Sequence, residues 1–201
     1  MPLAAQEGPR PDSRTPGGQA QASSSPAGWL LLIYRIPTEP SRHRVAVWRR
    51  LKEAGAVYLQ SSVCVLPITT WSHNLFGTLA AEIEAVGGET ILLAAQAPGE
   101  REQAKVVSRF NAERDSEYAE VLEQAEAFLE EIRRETERQN FTFAELEENE
   151  GNLERLRSWA EKVRGRDFFG AGRAGEVESA LTGCEQALEG FAGRVFAAQQ
   201  P

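Results

Sequence analysis

The sequence predicts an α+β fold in which a compact unit of four strands and two helices is followed by a purely helical part. Residues 29–98 alternate short apolar or β-branched runs with two stretches that carry apolar residues at spacings of three and four. From residue 99 the chain changes to long charged segments, each with one apolar stripe. The first 28 residues are mostly Pro, Gly, Ser, Gln and Ala with little apolar area to bury, which is typical of a disordered leader.

The first half of the compact unit is predicted as strand, helix, strand and strand. Trp29 to Ile36 is a mainly apolar run, too short to cross a bilayer and ended by Pro37, which indicates a buried strand. The helix that follows, from Ser41 to Ala54, ends at Gly55, because glycine adopts the left-handed conformation most easily. Its packing side is predicted to carry Val47, Trp48, Leu51 and Ala54.

The second half completes the unit. Two β-rich runs, Ala56 to Gln60 and Val63 to Leu66, are separated by only two serines. A helix beginning after Thr70 ends at a Gly-Gly pair, and Glu89 to Ala97 supplies a fourth strand. The order is therefore βαββαβ, which with an antiparallel sheet and both helices on one face is the ferredoxin-like arrangement. Its other sheet face is left open.

From Glu100 three amphipathic stretches predict an antiparallel helical hairpin or bundle over residues 99–201. The first stripe is interrupted near Asn111 to Asp115, and Asn140 is its expected end. Gly165 and the segment FFGAGRAG separate the last two helices. The stripes end after two or three heptads, which argues against a long coiled coil.

Charge is distributed unevenly along the chain, whose net charge is −8. Up to Ala97 there are eight Lys and Arg against seven Asp and Glu, whereas the remainder has fourteen against twenty-three. Six cations fall within eighteen residues and are opposed only by Glu39: Arg35, Arg42, Arg44, Arg49, Arg50 and Lys52. This basic patch is the expected contact for an anion or a nucleic-acid backbone.

The patch predicts a DNA-binding surface made by Arg42, Arg49, Arg50 and Lys52 on the first helix. The first two and Lys52 fall within roughly one third of the helix circumference, so they can follow a phosphate backbone. A solvated basic face is the alternative, since Trp48 is placed on the apolar side and leaves little aromatic interleaving. Arg44 is predicted to project onto the packing side, where it needs a partner.

No catalytic or metal site is predicted. His43 and His73 are isolated, and the two cysteines, Cys64 and Cys184, have no zinc-ligand spacing and are expected to be reduced and buried, as in a cytoplasm. The serines near the second strand have no base that can be placed beside them, and no phosphate loop or dinucleotide fingerprint occurs. We therefore expect a protein that is not an enzyme and has no cofactor.

Four segments carry a resemblance to a known family: LLLIYRIP, the basic helix ending in LKEAG, YLQSSVCVLP and RFNAERDSEYAEV. Together they resemble the N-terminal domain of the ChrB family of bacterial chromate-resistance operons. The layout is more distantly similar to the ferredoxin-like CRISPR-associated nucleases and the C-terminal part of PaaX-type repressors. Longer ChrB relatives carry a C-terminal domain that this chain is expected to lack.

Arg35 stands at the end of the first strand, where the distantly similar nucleases have a metal-binding Asp. Because an Arg cannot ligate Mg²⁺, the comparison argues against a metal nuclease. Two readings remain for Arg35: a contact to phosphate or a tetrahedral oxyanion, or a salt bridge to a carboxylate of the helical part. Arg44 is assigned with Arg35 as an anion-binding residue.

The resemblance implies a cytoplasmic regulator of chromate resistance that binds operator DNA and responds to chromate or another oxyanion. No membrane segment is expected, and a homodimer is expected through a sheet edge, with SSVCVLP the strand that related families use near their interface. The alternative is a protein-interaction or dimerisation module that does not touch DNA. A nuclease or chromate reductase is a third hypothesis.

Overall fold

A computed structural model describes residues 26–199, which form four strands and five helices. The strands are β1 (Trp29–Arg35), β2 (Val57–Gln60), β3 (Val63–Pro67) and β4 (Glu89–Ala95). The helices are α1 (Ser41–Glu53), α2 (Thr70–Ala85), α3 (Glu100–Glu137), α4 (Phe143–Arg164) and α5 (Ala174–Ala198). The predicted leader, residues 1–28, lies outside the described residues except for its last three.

The sheet has the order β2-β3-β1-β4, and every neighbouring pair is antiparallel. This order, together with the βαββαβ succession, confirms the predicted α+β fold with a ferredoxin-like domain. Strand β3, which contains VCVLP of the predicted dimer segment, lies inside the sheet and is hydrogen-bonded to β2 and β1. It has no free edge for a second chain, so the sheet edges of this domain are β2 and β4.

One face of the sheet is covered by α1 and α2. The core there joins Leu32 and Cys64 from the sheet to Leu51, Phe76 and Ile83 from the helices, all of them completely buried. Helix α2 begins with a capping box, in which the Thr69 side chain accepts from the Ser72 N–H and the Ser72 side chain accepts from the Thr69 N–H. Apolar spacing and capping thus agree on the position of this helix.

The opposite face of the sheet is only partly covered, and the cover is the beginning of α3 together with Phe168 and Phe169 from the connection between α4 and α5. Trp29 stacks on Phe110 with ring centroids 5.6 Å apart, and its indole N–H donates to Gln103 Oε1 at 2.8 Å. Toward the other end of β1, Leu31 and Ile33 remain half-buried. The sheet face that was expected to be open is therefore covered in part, and apolar side chains of β1 and β4 remain accessible.

The three helices of the second part form an antiparallel bundle, as predicted. Helix α3 is continuous over 38 residues and runs through the predicted interruption of its apolar stripe near Asn111 to Asp115, where the buried residue is Arg114. The stripe changes partner there: Phe110 belongs to the core of the sheet domain, and Tyr118 belongs to the core of the bundle. Between residues 26 and 199, no helix combines the length and the apolarity that crossing a membrane requires.

Candidate nucleic-acid interface

The outward face of α1 combines positive charge with exposed apolar side chains. Arg42, Arg44 and Arg49 are exposed, and so are Val45 and Trp48, the latter with 49% of its surface accessible. Within the described part of the chain none of the three arginines takes part in a salt bridge or a side-chain hydrogen bond. At about 100° per residue Arg42 and Arg49 lie close together on α1, and Arg44 lies on the far side of Val45 and Trp48, so the three arginines border one exposed surface, the outward strip, that a polyanion can reach.

Two predictions about α1 are wrong. Arg44 does not project onto the packing side and needs no buried partner, and Trp48 does not lie in the core. The reason is that α1 buries only a narrow stripe, Val47 and Leu51 with Ala54 just beyond its end, so neighbouring positions on the flank of that stripe stay in solvent. Trp48 is therefore an aromatic residue within the basic surface, where the sequence analysis placed none.

The other predicted DNA contacts on α1 are occupied by carboxylates. Arg50 makes a charged hydrogen bond to Glu82 of α2, and Lys52 Nζ lies 3.1 Å from Glu113 Oε2 of α3. These pairs attach α1 to its neighbouring helices. The structure therefore divides the predicted patch into the three arginines of the outward strip, Arg42, Arg44 and Arg49, and two cations, Arg50 and Lys52, that attach α1 to α2 and α3.

Arg35 is paired on the sheet and not with the helical part. Its Nη2 lies 3.0 Å from Glu89 Oε1, its direct neighbour across β1 and β4. Both side chains are largely exposed, so the pair contributes little to stability. Arg35 therefore forms a salt bridge, but its partner belongs to the sheet and not, as predicted, to the helical part. Anion binding by Arg35 stays a prediction.

The end of α1 is fixed by a buried junction that sequence reasoning did not identify. Gly55 follows the helix with φ of +73°, and a Cβ added there would lie 2.7 Å from Arg166 Cβ and 3.3 Å from Arg114 Nη1. Arg114, in α3, is 2% exposed, and Arg166 follows α4. The C-terminus of the basic helix therefore contacts the bundle directly at a position where only glycine fits.

Two guanidinium groups at this junction are paired with the same carboxylate. Arg114 and Arg166 share Glu117, whose Oε2 lies 3.2 Å from Arg114 Nη1 and 2.9 Å from Arg166 Nε. Burial lowers the pKa of Arg114 from its ordinary value, and Glu117 opposes that shift. The negative end of the α1 dipole lies on the same side as the guanidinium, which favours a cation there.

The segment RFNAERDSEYAEV accounts for most of this junction. Arg109 Nη1 donates to the carbonyl of Leu59 at 2.9 Å, and Asp115 Oδ1 accepts the N–H of Arg173 at 2.9 Å. The Tyr118 hydroxyl donates to Asp167 at 3.2 Å. The sequence did contain a signal for these contacts, because polar residues interrupt the apolar stripe of α3 and a charge at a core position requires a partner.

Among residues 26–199 no three His, Cys, Asp or Glu side chains converge as metal ligands would. Cys64 and Cys184 are buried and unpaired with each other, as predicted. Burial raises the pKa of the Cys64 thiol to about 12 and that of Cys184 to about 11, so both are protonated near neutral pH.

Fold and surface together define a class of protein: a ferredoxin-like domain that presents a basic helix and contacts a three-helix bundle at the end of that helix. A family model described as "Protein ChrB, N-terminal" matches residues 44–201. The matched range contains α1 from Arg44 onward and the whole of the junction, whereas LLLIYRIP precedes it.

A curated relative, Protein ChrB of Cupriavidus metallidurans, is 33% identical over 101 residues. The aligned region makes up 50% of this chain and 31% of that protein, so the match spans about a third of the relative's length. The chain belongs to the ChrB N-terminal family of chromate-resistance proteins.

Proposed function

We propose that this protein is a regulator of chromate resistance that binds operator DNA through the outward strip of α1 and loses affinity when chromate is present. The observation that carries the DNA-binding step is the strip itself. Among residues 26–199 it presents three arginines that form no salt bridge and an exposed tryptophan, on a helix that Arg50 and Lys52 attach to its neighbours.

The strip has the chemistry that a duplex requires of a protein. Arginines contact phosphates and release counterions, which makes binding depend on salt. Val45 and Trp48 lie between them and can contact sugars, thymine methyl groups or unstacked bases. The net charge of the chain is −8, so DNA binding depends on this local concentration of positive charge and not on the protein as a whole.

The test is a titration of labelled duplex from the protein's own upstream region at several salt concentrations. The triple variant Arg42→Ala, Arg44→Ala, Arg49→Ala should bind weakly, and the slope of log K against log salt should fall by about 2.5–3, close to 0.9 per lost phosphate contact. The control removes the same charge at the end of α3 and just after it, with Arg133→Ala, Arg134→Ala and Arg138→Ala. Wild-type affinity in the α1 variant would refute the assignment.

Trp48 gives a second and independent measurement. Trp48→Ala should weaken binding without changing the salt slope, because the side chain carries no charge. It is more exposed than Trp29, which is buried, and than the half-buried Trp71 and Trp159, so quenching of tryptophan fluorescence on DNA addition should disappear in this variant. Quenching that persists in Trp48→Ala would place the DNA elsewhere.

The response to chromate is supported by family membership. It is tested by adding chromate to the preformed complex, with sulfate as an anion of the same shape and charge. Chromate should release the DNA at concentrations where sulfate does not. Equal release by both anions would indicate simple ionic competition.

A second candidate, the protein-interaction module, is favoured by a different observation. Strand β4 exposes Ile91, Leu92 and Leu93 at the edge of the sheet, on the side of the domain away from β2. Absence of any shift of duplex DNA at micromolar protein would favour this function over DNA binding.

A further inference from the structure

Strand β4 is an unprotected sheet edge. Its sequence ETILLAA contains one charged residue, at its start, and no proline. Ile91 is 56% exposed and Leu93 47%, both on the partly uncovered sheet face, and Leu92 on the helix face is 37% exposed. Long apolar edge strands are avoided in monomeric proteins because they pair with other strands.

The opposite edge, β2, is protected by comparison. It has four residues and a register irregularity between Tyr58 and Gln60. The carbonyls of Tyr58 and Leu59 already accept from Arg109 at 3.4 and 2.9 Å. A short strand, a bulge and a covering side chain are the features that block edge pairing, so further strand pairing is directed to β4.

The direction of the free backbone groups of β4 follows from the rest of the sheet. The N–H of Tyr34 donates to Ser62, and that of Ile68 donates to Gly28, so even-numbered residues of β1 direct their backbone groups toward β3. Odd-numbered residues of β1 therefore pair with odd-numbered residues of β4 through hydrogen bonds. The β4 residues whose N–H and C=O groups point to the free edge are Thr90, Leu92 and Ala94.

We propose that β4 is the dimer interface, where it pairs antiparallel with β4 of a second copy about a two-fold axis at Leu92. Each Leu92 then faces its copy, Thr90 faces the second copy's Ala94, and all three hydrogen-bond pairs use groups that no other strand within residues 26–199 occupies. Ile91 faces the second copy's Leu93 on the uncovered sheet face. The two four-stranded sheets become one, with its apolar residues side by side.

The charges of the strand agree with a second copy as occupant. In this register the two Glu89 side chains lie at opposite ends of the β4 ribbon, each beside Arg35 of its own chain, so no like charges meet. A register shifted by one residue would place residues of the uncovered face opposite residues of the helix face, which a two-fold axis perpendicular to the sheet does not allow. The proposal goes beyond DNA binding, since it concerns the free protein.

The test measures the mass of the free protein by light scattering from about 1 to 100 μM, since dimers form by mass action. Wild type should reach twice 22.1 kDa. Leu93→Lys should be a monomer, while Phe196→Lys, at a 55%-exposed apolar residue of α5, should remain a dimer. Ala94→Pro should also be a monomer that folds, because its N–H is predicted to point away from β1.

Hydrogen exchange supplies the second measurement. In wild type the amides of Thr90, Leu92 and Ala94 should exchange at least about tenfold more slowly than in Leu93→Lys, since only the dimer protects them. A wild-type mass of 22.1 kDa at every concentration would overturn the proposal. So would a dimer that survives both β4 variants, or β4 amides that exchange equally fast in wild type and variant. Because no DNA is present, these outcomes are independent of the DNA-binding result.

Discussion

Replacing Gly55 by alanine tests whether the end of the basic helix is fixed against the bundle. The chain offers a matched control in Gly87, which ends α2 in the same way. Gly55 has φ of +73° and Gly87 has φ of +79°, so an alanine at either position is forced into the left-handed region. A Cβ at Gly87 meets nothing within 4 Å, whereas at Gly55 it comes within 2.7 Å of Arg166 Cβ and 3.1 Å of the Arg166 carbonyl oxygen.

The expected destabilisation can be worked out from these two contributions. The left-handed conformation costs an alanine about 1–2 kcal/mol at both positions. Crowding in a packed region adds about 1–3 kcal/mol, at Gly55 alone. Gly87→Ala should therefore lose about 1–2 kcal/mol of unfolding free energy and Gly55→Ala about 2–5 kcal/mol. For a chain of this length each kcal/mol lowers Tm by about 2–4 °C, so the two Tm values should differ by about 2–12 °C.

The assay is thermal denaturation followed by circular dichroism, with chemical denaturation to check that both variants unfold in one transition. If α1 is held through this contact, Gly55→Ala should also reduce DNA affinity, whereas Gly87→Ala should not. Equal melting temperatures for the two variants would refute the argument that the helix end contacts Arg166.

Three further outcomes follow from the same structure. Glu117→Gln should lose about 3–5 kcal/mol in urea denaturation and Arg114→Met clearly less, because the first leaves two guanidiniums without their shared carboxylate and the second removes the buried charge itself. The Cys64 pKa is raised in the folded state to about 12, so its contribution to stability is complete below pH 9 and is lost as pH rises toward 12. Tm should therefore fall in that window, and less steeply in Cys64→Ala. Thr69→Ala should cost α2 about 1 kcal/mol, seen as a lower Tm, because the capping box is lost.

The fold could be predicted because its signals are local. Apolar runs of strand length, two helices with three-and-four spacing and Gly-Gly after the second helix each specify one element, and together they require βαββαβ. The change of packing partner along α3 was not predictable in the same way. Its stripe switches from the sheet core at Phe110 to the bundle core at Tyr118, and a stripe with two different partners looks interrupted along the sequence.

The candidate site was predicted in position but not in composition. The sequence locates the basic helix, yet helical spacing alone does not show how wide a stripe the helix buries, so Arg44 and Trp48 were placed on the wrong side. It also does not show which cations meet a carboxylate from a distant segment. The pairing of Lys52 with Glu113 joins residues 61 positions apart, and only the tertiary structure brings them together.

The cations of α1 form two groups, one exposed to solvent and one paired with carboxylates of neighbouring helices. Arg42, Arg44 and Arg49 face solvent, while Arg50 and Lys52 are bound to α2 and α3. Gly55, which follows α1 with a positive φ, lies against Arg114 and Arg166 of the bundle. A rotation of α3 or α4 would therefore move the end of α1 through contacts that are already made, whereas the sheet domain alone would leave that end free. Under the proposed function the bundle therefore helps to orient the outward strip, and its acidic surface does not need to touch DNA to influence binding.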